Sequence, residues 1–411
     1  MTHSAAPRAH PHPFFYLVLI MPFGAVSGYL TVALAYALAR SGMPIEQVGA
    51  LIAIYYLPQA WKFLWAPIVD ANMTRKRWYV IGASLSAFGV LTMAAFSTHA
   101  TTLAVLSVVS VMSSLAVSFL GMAVESLVAY GTPVTQKGRA AGWLQAGSLG
   151  GGGLGGGAAL WLMQHVSLPW ITGAALGTCI MLCCLALLFV AEPPSAVHEH
   201  GGLRKLMVIL RDTWHVLRSR AGYMALLVVF LPIGTGAASN YWSAVSDEWH
   251  ASAGMVALVN GAAGGIVSAV GCLAGGYLSD RFNRKFAYIG FGLFLTVCAI
   301  AMALWPHTAA AYVVFTLIYA FGNGLCFAGF SAVTLEAIGH GAAATKYNVF
   351  ASLSNMPITY MTAIEGWAHS RWGTNGLLFL EAGLAIVSLV IFTFATLLSA
   401  RRPVPLVAER V

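Results

Sequence analysis

Five ionisable side chains stand inside apolar sequence: Lys62, Glu125, Glu336, Glu365 and Glu381. A charge in such surroundings is costly unless it is paired, neutralised by a proton or turned towards water. The chemistry open to these groups is therefore proton binding and release, and the making and breaking of ion pairs. Lys62 precedes Asp70 by eight positions, about 12 Å along a helix. It must snorkel to the nearer membrane face, pair with an acid, or face a watery cavity. Glu125 approaches the same face on another helix and is the natural partner. Protonating Glu125 would then break the pair and release a conformational restraint. A second arrangement places Glu125 and Glu336 in loop latches with nearby arginines. Glu365 and Glu381 lie towards the opposite face and are alternative proton sites.

Two loops carry an aspartate followed by a basic cluster: Asp70 with Arg75, Lys76 and Arg77, and Asp280 with Arg281, Arg284 and Lys285. Charge-assisted hydrogen bonds from such a loop to a neighbouring helix could latch one conformation and break in another; positive charge that merely anchors a loop would look the same. Polar and aromatic residues deep in the apolar segments are candidates to line a solute cavity: Thr31, Gln145, Asn240, Tyr241, Trp242, Asn323 and Asn355, with Ser114 and Thr235 beside them. Each could instead satisfy a hydrogen bond between helices. The run Gly150–Gly157, broken only by Leu154, has no preceding strand and no following lysine, so it is not a phosphate loop; within a helix it is a surface for close packing. No nucleophile–base set suggests catalysis, and no His or Cys spacing suggests a metal centre or cofactor. The six cysteines all lie in apolar sequence and read as small hydrophobes.

These residues need a frame, and composition supplies it. Of 411 residues, 59% are hydrophobic and 8% charged, far below the quarter that keeps a soluble surface wet. Apolar segments fall at 14–39, 46–68, 79–98, 102–128, 140–163, 169–191, 222–245, 254–278, 286–305, 310–337, 347–368 and 375–399, each long enough to cross a bilayer as a helix. We number them segments 1 to 12. The expected fold is an all-α polytopic membrane protein of twelve transmembrane helices in two pseudo-symmetric six-helix halves, 14–191 and 222–399. A short tail (1–13), a linker (192–221) and a second tail (400–411) complete the chain. Leu203, Leu206, Met207, Leu210, Trp214 and Leu217 give the linker an apolar stripe beside Arg204, Lys205, Arg211 and Arg218, the pattern of a helix lying on an anionic membrane surface. With both termini cytoplasmic, nearly every basic loop residue falls inside, leaving Arg40 and Arg371 outside, as the positive-inside rule demands. The net charge of +8 thus reports topology, not nucleic-acid binding.

The halves repeat. Asp70 and Asp280 lie 210 residues apart, Glu125 and Glu336 lie 211 apart, and Lys137 with Arg139 occupies the place of Lys346. Six-helix halves related in this way are a transporter plan. Gly276-Tyr-Leu-Ser-Asp280-Arg281-Phe-Asn283-Arg284-Lys285 closely resembles the loop signature of the major facilitator superfamily. Asn283 replaces its second glycine, and both residue types tolerate left-handed backbone angles. Lys62-Phe-Leu-Trp65-Ala-Pro67-Ile-Val-Asp70 resembles the segment-2 sequence of the superfamily's muropeptide permease and acetyl-coenzyme A transporter group, which has a siderophore-permease branch. Glu125, Gly138-Arg139 and Gln145 extend the likeness. That resemblance implies a monomeric secondary transporter of the bacterial inner membrane, taking up a medium-sized solute by alternating access with protons as the coupling ion. The chain's twelve segments favour a siderophore or related iron chelate as substrate, with a muropeptide as the alternative and an exporter of drugs or metabolites as a further one.

Overall fold

The computed structural model describes residue 12 and residues 14–65, 73–96, 103–131, 137–192, 227, 229–338 and 349–400. The linker beyond Glu192, both tails apart from residues 12 and 400, and Asp70 lie outside them. No strand occurs among the described residues. Segment 1 runs Phe14–Arg40, with one wider π turn at Tyr29–Leu34. Segment 2 runs Ile45–Ala60 and bends at Trp61, just after Pro58. Segments 3 to 6 follow as Arg75–Phe96, Leu103–Gly131, Lys137–His165 and Pro169–Phe189. Segment 8 begins at Ala253 and ends at Arg281; segments 9 and 10 are Arg284–Leu304 and Ala309–Ile338. Segments 11 and 12 share one helical stretch that turns at Gly373, φ 66°, where a side chain would be strained.

Segment 7 departs from expectation. Instead of a helix over 222–245, residues 231–250 form bends and two short 3₁₀ turns, Ala237–Asn240 and Ser246–Trp249. Pro232 withholds an amide, and Gly234 and Gly236 take φ of +62° and +67°, so the sequence Pro-Ile-Gly-Thr-Gly cannot continue a helix. Irregular backbone at membrane depth survives only where protein satisfies it. Here three tyrosine hydroxyls from three segments do so: Tyr360 donates to the Phe230 carbonyl at 2.7 Å, Tyr288 to Ile233 at 2.9 Å and Tyr312 to Trp242 at 2.8 Å.

The segment pairings are the same in each half. Segments 1 and 5, 2 and 4, 3 and 4, and 3 and 6 pack together, as do 7 and 11, 8 and 10, 9 and 10, and 9 and 12. The outer flanks carry large exposed apolar groups such as Phe88, Leu188, Leu273 and Phe394, a surface suited to lipid rather than water. The halves meet where segment 2 packs on segment 11 and segment 5 on segment 8. The glycine run sets that contact. Gly151, Gly155 and Gly156 approach segment 1, whereas Gly153 and Gly157 approach segment 8. A Cβ on Gly153 would lie 2.6 Å from the Gly261 carbonyl oxygen.

Candidate functional site

Two of the expected partners meet. Lys62 Nζ lies 2.9 Å from Glu125 Oε1, joining segments 2 and 4 within the first half. The bend at Trp61 turns Lys62 inward, and its side chain is only 15% exposed against 34% for Glu125. The pair thus bridges two helices of one half, not the two halves.

The latch residues separate into different roles. Arg75 is buried at the start of segment 3, where its backbone amide donates to Glu192 Oε1 at 2.8 Å and that of Lys76 to Oε2 at 3.2 Å. A carboxylate at a helix N-terminus satisfies free amides and complements the helix dipole. Glu192, which sequence reasoning passed over, therefore ties segment 6 to segment 3. Arg281 donates to Tyr277 on its own helix at 2.9 Å, and Arg284 opens segment 9. Asn283 is not left-handed: at φ −61° it caps that helix, its side chain accepting from the Lys285 amide. An N-cap asparagine explains the replaced glycine better than a shared tolerance for αL. The side chains of Asp280, Glu336 and Arg139 lie outside the described set.

Most expected cavity residues are turned to protein. Thr31 donates to the Ser27 carbonyl one turn back, and Asn355 to Ala351 and Ser352. Ser114 bonds the Tyr55 carbonyl across to segment 2. Asn240 donates to Thr362 Oγ1 at 3.0 Å, and the Tyr241 hydroxyl bonds the Thr362 carbonyl, locking broken segment 7 against segment 11. Trp242 is buried edge-on to Tyr319 with ring centres 5.3 Å apart. Asn323 packs under Gly236, where no side chain would fit. Gln145 alone of the set is exposed. A small cleft of about 40 Å³ instead opens beside the kink, walled by Ile233, Gly234, Thr235, Phe330, Ser354 and Pro357. Of the named candidates only Thr235 reaches it.

Glu365 and Glu381 are both buried, at 0% and 6% exposure. Tyr319 on segment 10 donates to Glu381 Oε1; the other three carboxyl oxygens have no hydrogen-bond partner.

At the end that the charge rule places outside, the halves are shut. Arg40 of segment 1 reaches Asp247 at 3.2 Å. Gly49 of segment 2 lies against the Tyr241 hydroxyl, and Gly366 of segment 11 against Glu46. Beside them His369 Nε2 lies 2.6 Å from Glu248 Oε1, and Thr374 donates to Oε2 at 2.6 Å. Burial works to raise the Glu248 carboxyl, but the His369 and Thr374 hydrogen bonds and the nearby His307 outweigh it and hold it below its ordinary value. No group of three or more metal-ligating side chains occurs among the described residues.

The profile of the Major Facilitator Superfamily matches residues 16–359. An anhydromuropeptide permease of Escherichia coli K12 is 22% identical over 390 residues, covering 91% of this chain and 78% of that protein. Crystal structures of the nucleoside transporter NupG (14% identical, TM-score 0.71, 93% and 98% of the chains covered) and of a D-xylose-proton symporter (12%, 0.70, 92% and 97%) have the same fold.

Proposed function

The chain belongs to the Major Facilitator Superfamily of membrane transporters, and from that membership we propose that it imports a muropeptide, a cell-wall fragment, across the bacterial inner membrane. The similarity to the anhydromuropeptide permease along 91% of the chain carries the substrate class. It favours the cell-wall fragment over the ferric siderophore. In this reading both termini are cytoplasmic, a single chain suffices, and the work is transport, with no enzymatic step.

Alternating access requires halves that close at one end while the other admits solute. The contacts at Arg40–Asp247, at Gly153 and Gly157 against segment 8, and at segment 2 against segment 11 support an outer gate, closed in the inward-facing state. The proton gradient drives uptake. Lys62–Glu125 acts as a brace inside the first half, which loosens when Glu125 takes a proton.

The test is uptake of labelled anhydromuropeptide and of a labelled ferric siderophore into proteoliposomes, with and without an inward proton gradient. Accumulation of the muropeptide alone, abolished by an uncoupler, is the expected result. Siderophore accumulation without muropeptide uptake overturns the substrate assignment, and indifference to the uncoupler overturns the coupling.

A further inference from the structure

Glu365 and Glu381 pose an electrostatic problem that the ion pair of the first half does not. Both carboxyls are buried, and three of their four oxygens are unpartnered. The groups within electrostatic reach come from every neighbouring segment: Tyr241 from segment 7, Cys298 from segment 9, Tyr319 and Cys326 from segment 10. The Ala238 amide also faces Glu381. None of these is a cation. Two buried anions without partners are not tolerable, because each has lost its water and gains no compensating cation or donor. Lys62 and Glu125 neutralise each other, whereas among the described residues no cation is hydrogen-bonded to Glu365 or Glu381, and a proton can serve that purpose.

We propose that the buried carboxyls of Glu365 and Glu381 form the proton-carrying site of the second half, binding a proton in place of the partners they lack while Tyr319 holds Glu381 in place. Loading joins one proton to one carboxylate oxygen, and unloading returns it to water, with no other bond changed. A path towards the cytoplasmic side is at hand. A narrow crevice bounded by Pro232, Gly234, Thr296 and Glu381 adjoins the larger cleft, since Gly234 borders both. That cleft reaches Ser354 and Pro357 at the inner start of segment 11. The broken backbone of segment 7 thus forms the wall between the carboxyl pair and the inward cleft. A helix unbroken at Pro232–Gly236 would fill this place with side chains.

The assignment rests on the proton-driven reading above, so its test has one arm that needs no substrate. In the full-length protein, infrared difference spectra across a pH titration, in ordinary and heavy water, read protonated carboxyl groups directly. A carbonyl band of a buried carboxylic acid is expected, lost in E365Q or E381Q and shifted in Tyr319→Phe, which keeps both acids but removes the donor. The second arm is transport: E381Q should lose gradient-driven accumulation at least tenfold yet retain exchange of labelled for unlabelled solute. A wild-type spectrum identical to that of the E365Q/E381Q double variant overturns the proton site whatever the substrate is. A band that is present while both single variants accumulate solute normally overturns its role in coupling. A replacement of the proton gradient by a sodium gradient that sustains accumulation also overturns it. Should wild type ignore anhydromuropeptide, the substrate reading fails and the infrared arm alone judges the carboxyl pair.

Discussion

Three glycines within one helical run should behave as three different mutations when each is changed to alanine. Gly157 faces segment 8 of the other half, where a Cβ would lie 2.7 Å from the Ala257 carbonyl oxygen and 3.2 Å from Gly261 Cα. Gly156 faces segment 1 of its own half, where a Cβ would meet the Gly28 carbonyl oxygen at 2.5 Å. Gly150 has open space. Ordinary van der Waals contact begins at 3.4 Å, so at 156 and 157 two backbones must part. Overpacking of this kind costs about 1–3 kcal/mol, offset in part by the roughly 1 kcal/mol by which alanine favours helix over glycine. At 157 the strain exists only while the outer gate is shut, and because the helix preference is the same with the gate open or shut, the full cost of about 1–3 kcal/mol raises the gate-open population roughly 5- to 150-fold. At 156 the strain persists in every folded state. Hydrogen exchange across Ile45–Gly49 and Thr362–Gly366, with thermal melting alongside, distinguishes them. Gly157→Ala should speed exchange at those gate residues with little change in Tm. Gly156→Ala should lower Tm, and Gly150→Ala should do neither. If Gly157→Ala and Gly150→Ala prove indistinguishable, segment 5 does not form part of the gate.

The Lys62–Glu125 pair lies between the exposed and the buried extremes, and a double-mutant cycle of Lys62→Ala and Glu125→Gln should report a coupling of about 1 kcal/mol in thermal stability; strictly additive losses would remove the brace. Glu248, held below its ordinary value, contributes stability that is fully present above the unfolded carboxyl value of 4.5 and is lost as pH falls through its lower folded value. The melting difference between wild type and Glu248→Gln should therefore shrink in that acid window, and a difference that grows there contradicts the sign. Gly236→Ala meets both φ +67° and Asn323 atoms at 2.5 Å. It should destabilise by about 1–3 kcal/mol, while Gly290→Ala, inside segment 9 with open space around it, should raise Tm slightly.

What the sequence disclosed and what it hid follow from the range of the interactions involved. Long apolar runs and a charge bias are local statistics, so segment positions came through within a few residues. The 210-residue spacing of Asp70 and Asp280 announced the repeat because it needs no contact to be seen. The Lys62–Glu125 contact could be suspected for a similar reason, since a lysine at that depth has few partners to choose from. Segment 7 was misread although its signal was present: Pro232, Gly234 and Gly236 within five residues are strong helix breakers, but mean hydropathy over a window does not register backbone conformation. Asn240, Tyr241 and Asn355 looked like cavity lining because a polar residue in a membrane helix has two uses, and only the positions of Thr362 and the Ala351 carbonyl decide between them. Glu192 escaped notice since its partners are backbone amides, which every sequence contains.

The two halves share a packing plan but not an electrostatic one. In the first, a cation and an anion neutralise each other between segments 2 and 4, and the site is complete without a ligand. In the second, Glu365 and Glu381 are buried on segments 11 and 12, Tyr319 donates to Glu381, and the other three carboxyl oxygens have no hydrogen-bond partner. The backbone differs at the matching place: segment 1 is helical throughout apart from one wide turn, whereas its counterpart, segment 7, is broken next to the acid pair. A break there serves two ends at once. Its non-helical stretch opens the crevice that leads from Glu381 towards the inner cleft, and its outer part carries Tyr241 and Asp247, which meet segments 2 and 1 in the closed gate. On the proposed assignment, a change in the protonation of Glu365 and Glu381 would act on the same segment that closes the outer gate, through Ala238 and Tyr241. That shared segment gives the acid pair a mechanical connection to the gate, which the Lys62–Glu125 brace, confined to the first half, does not have.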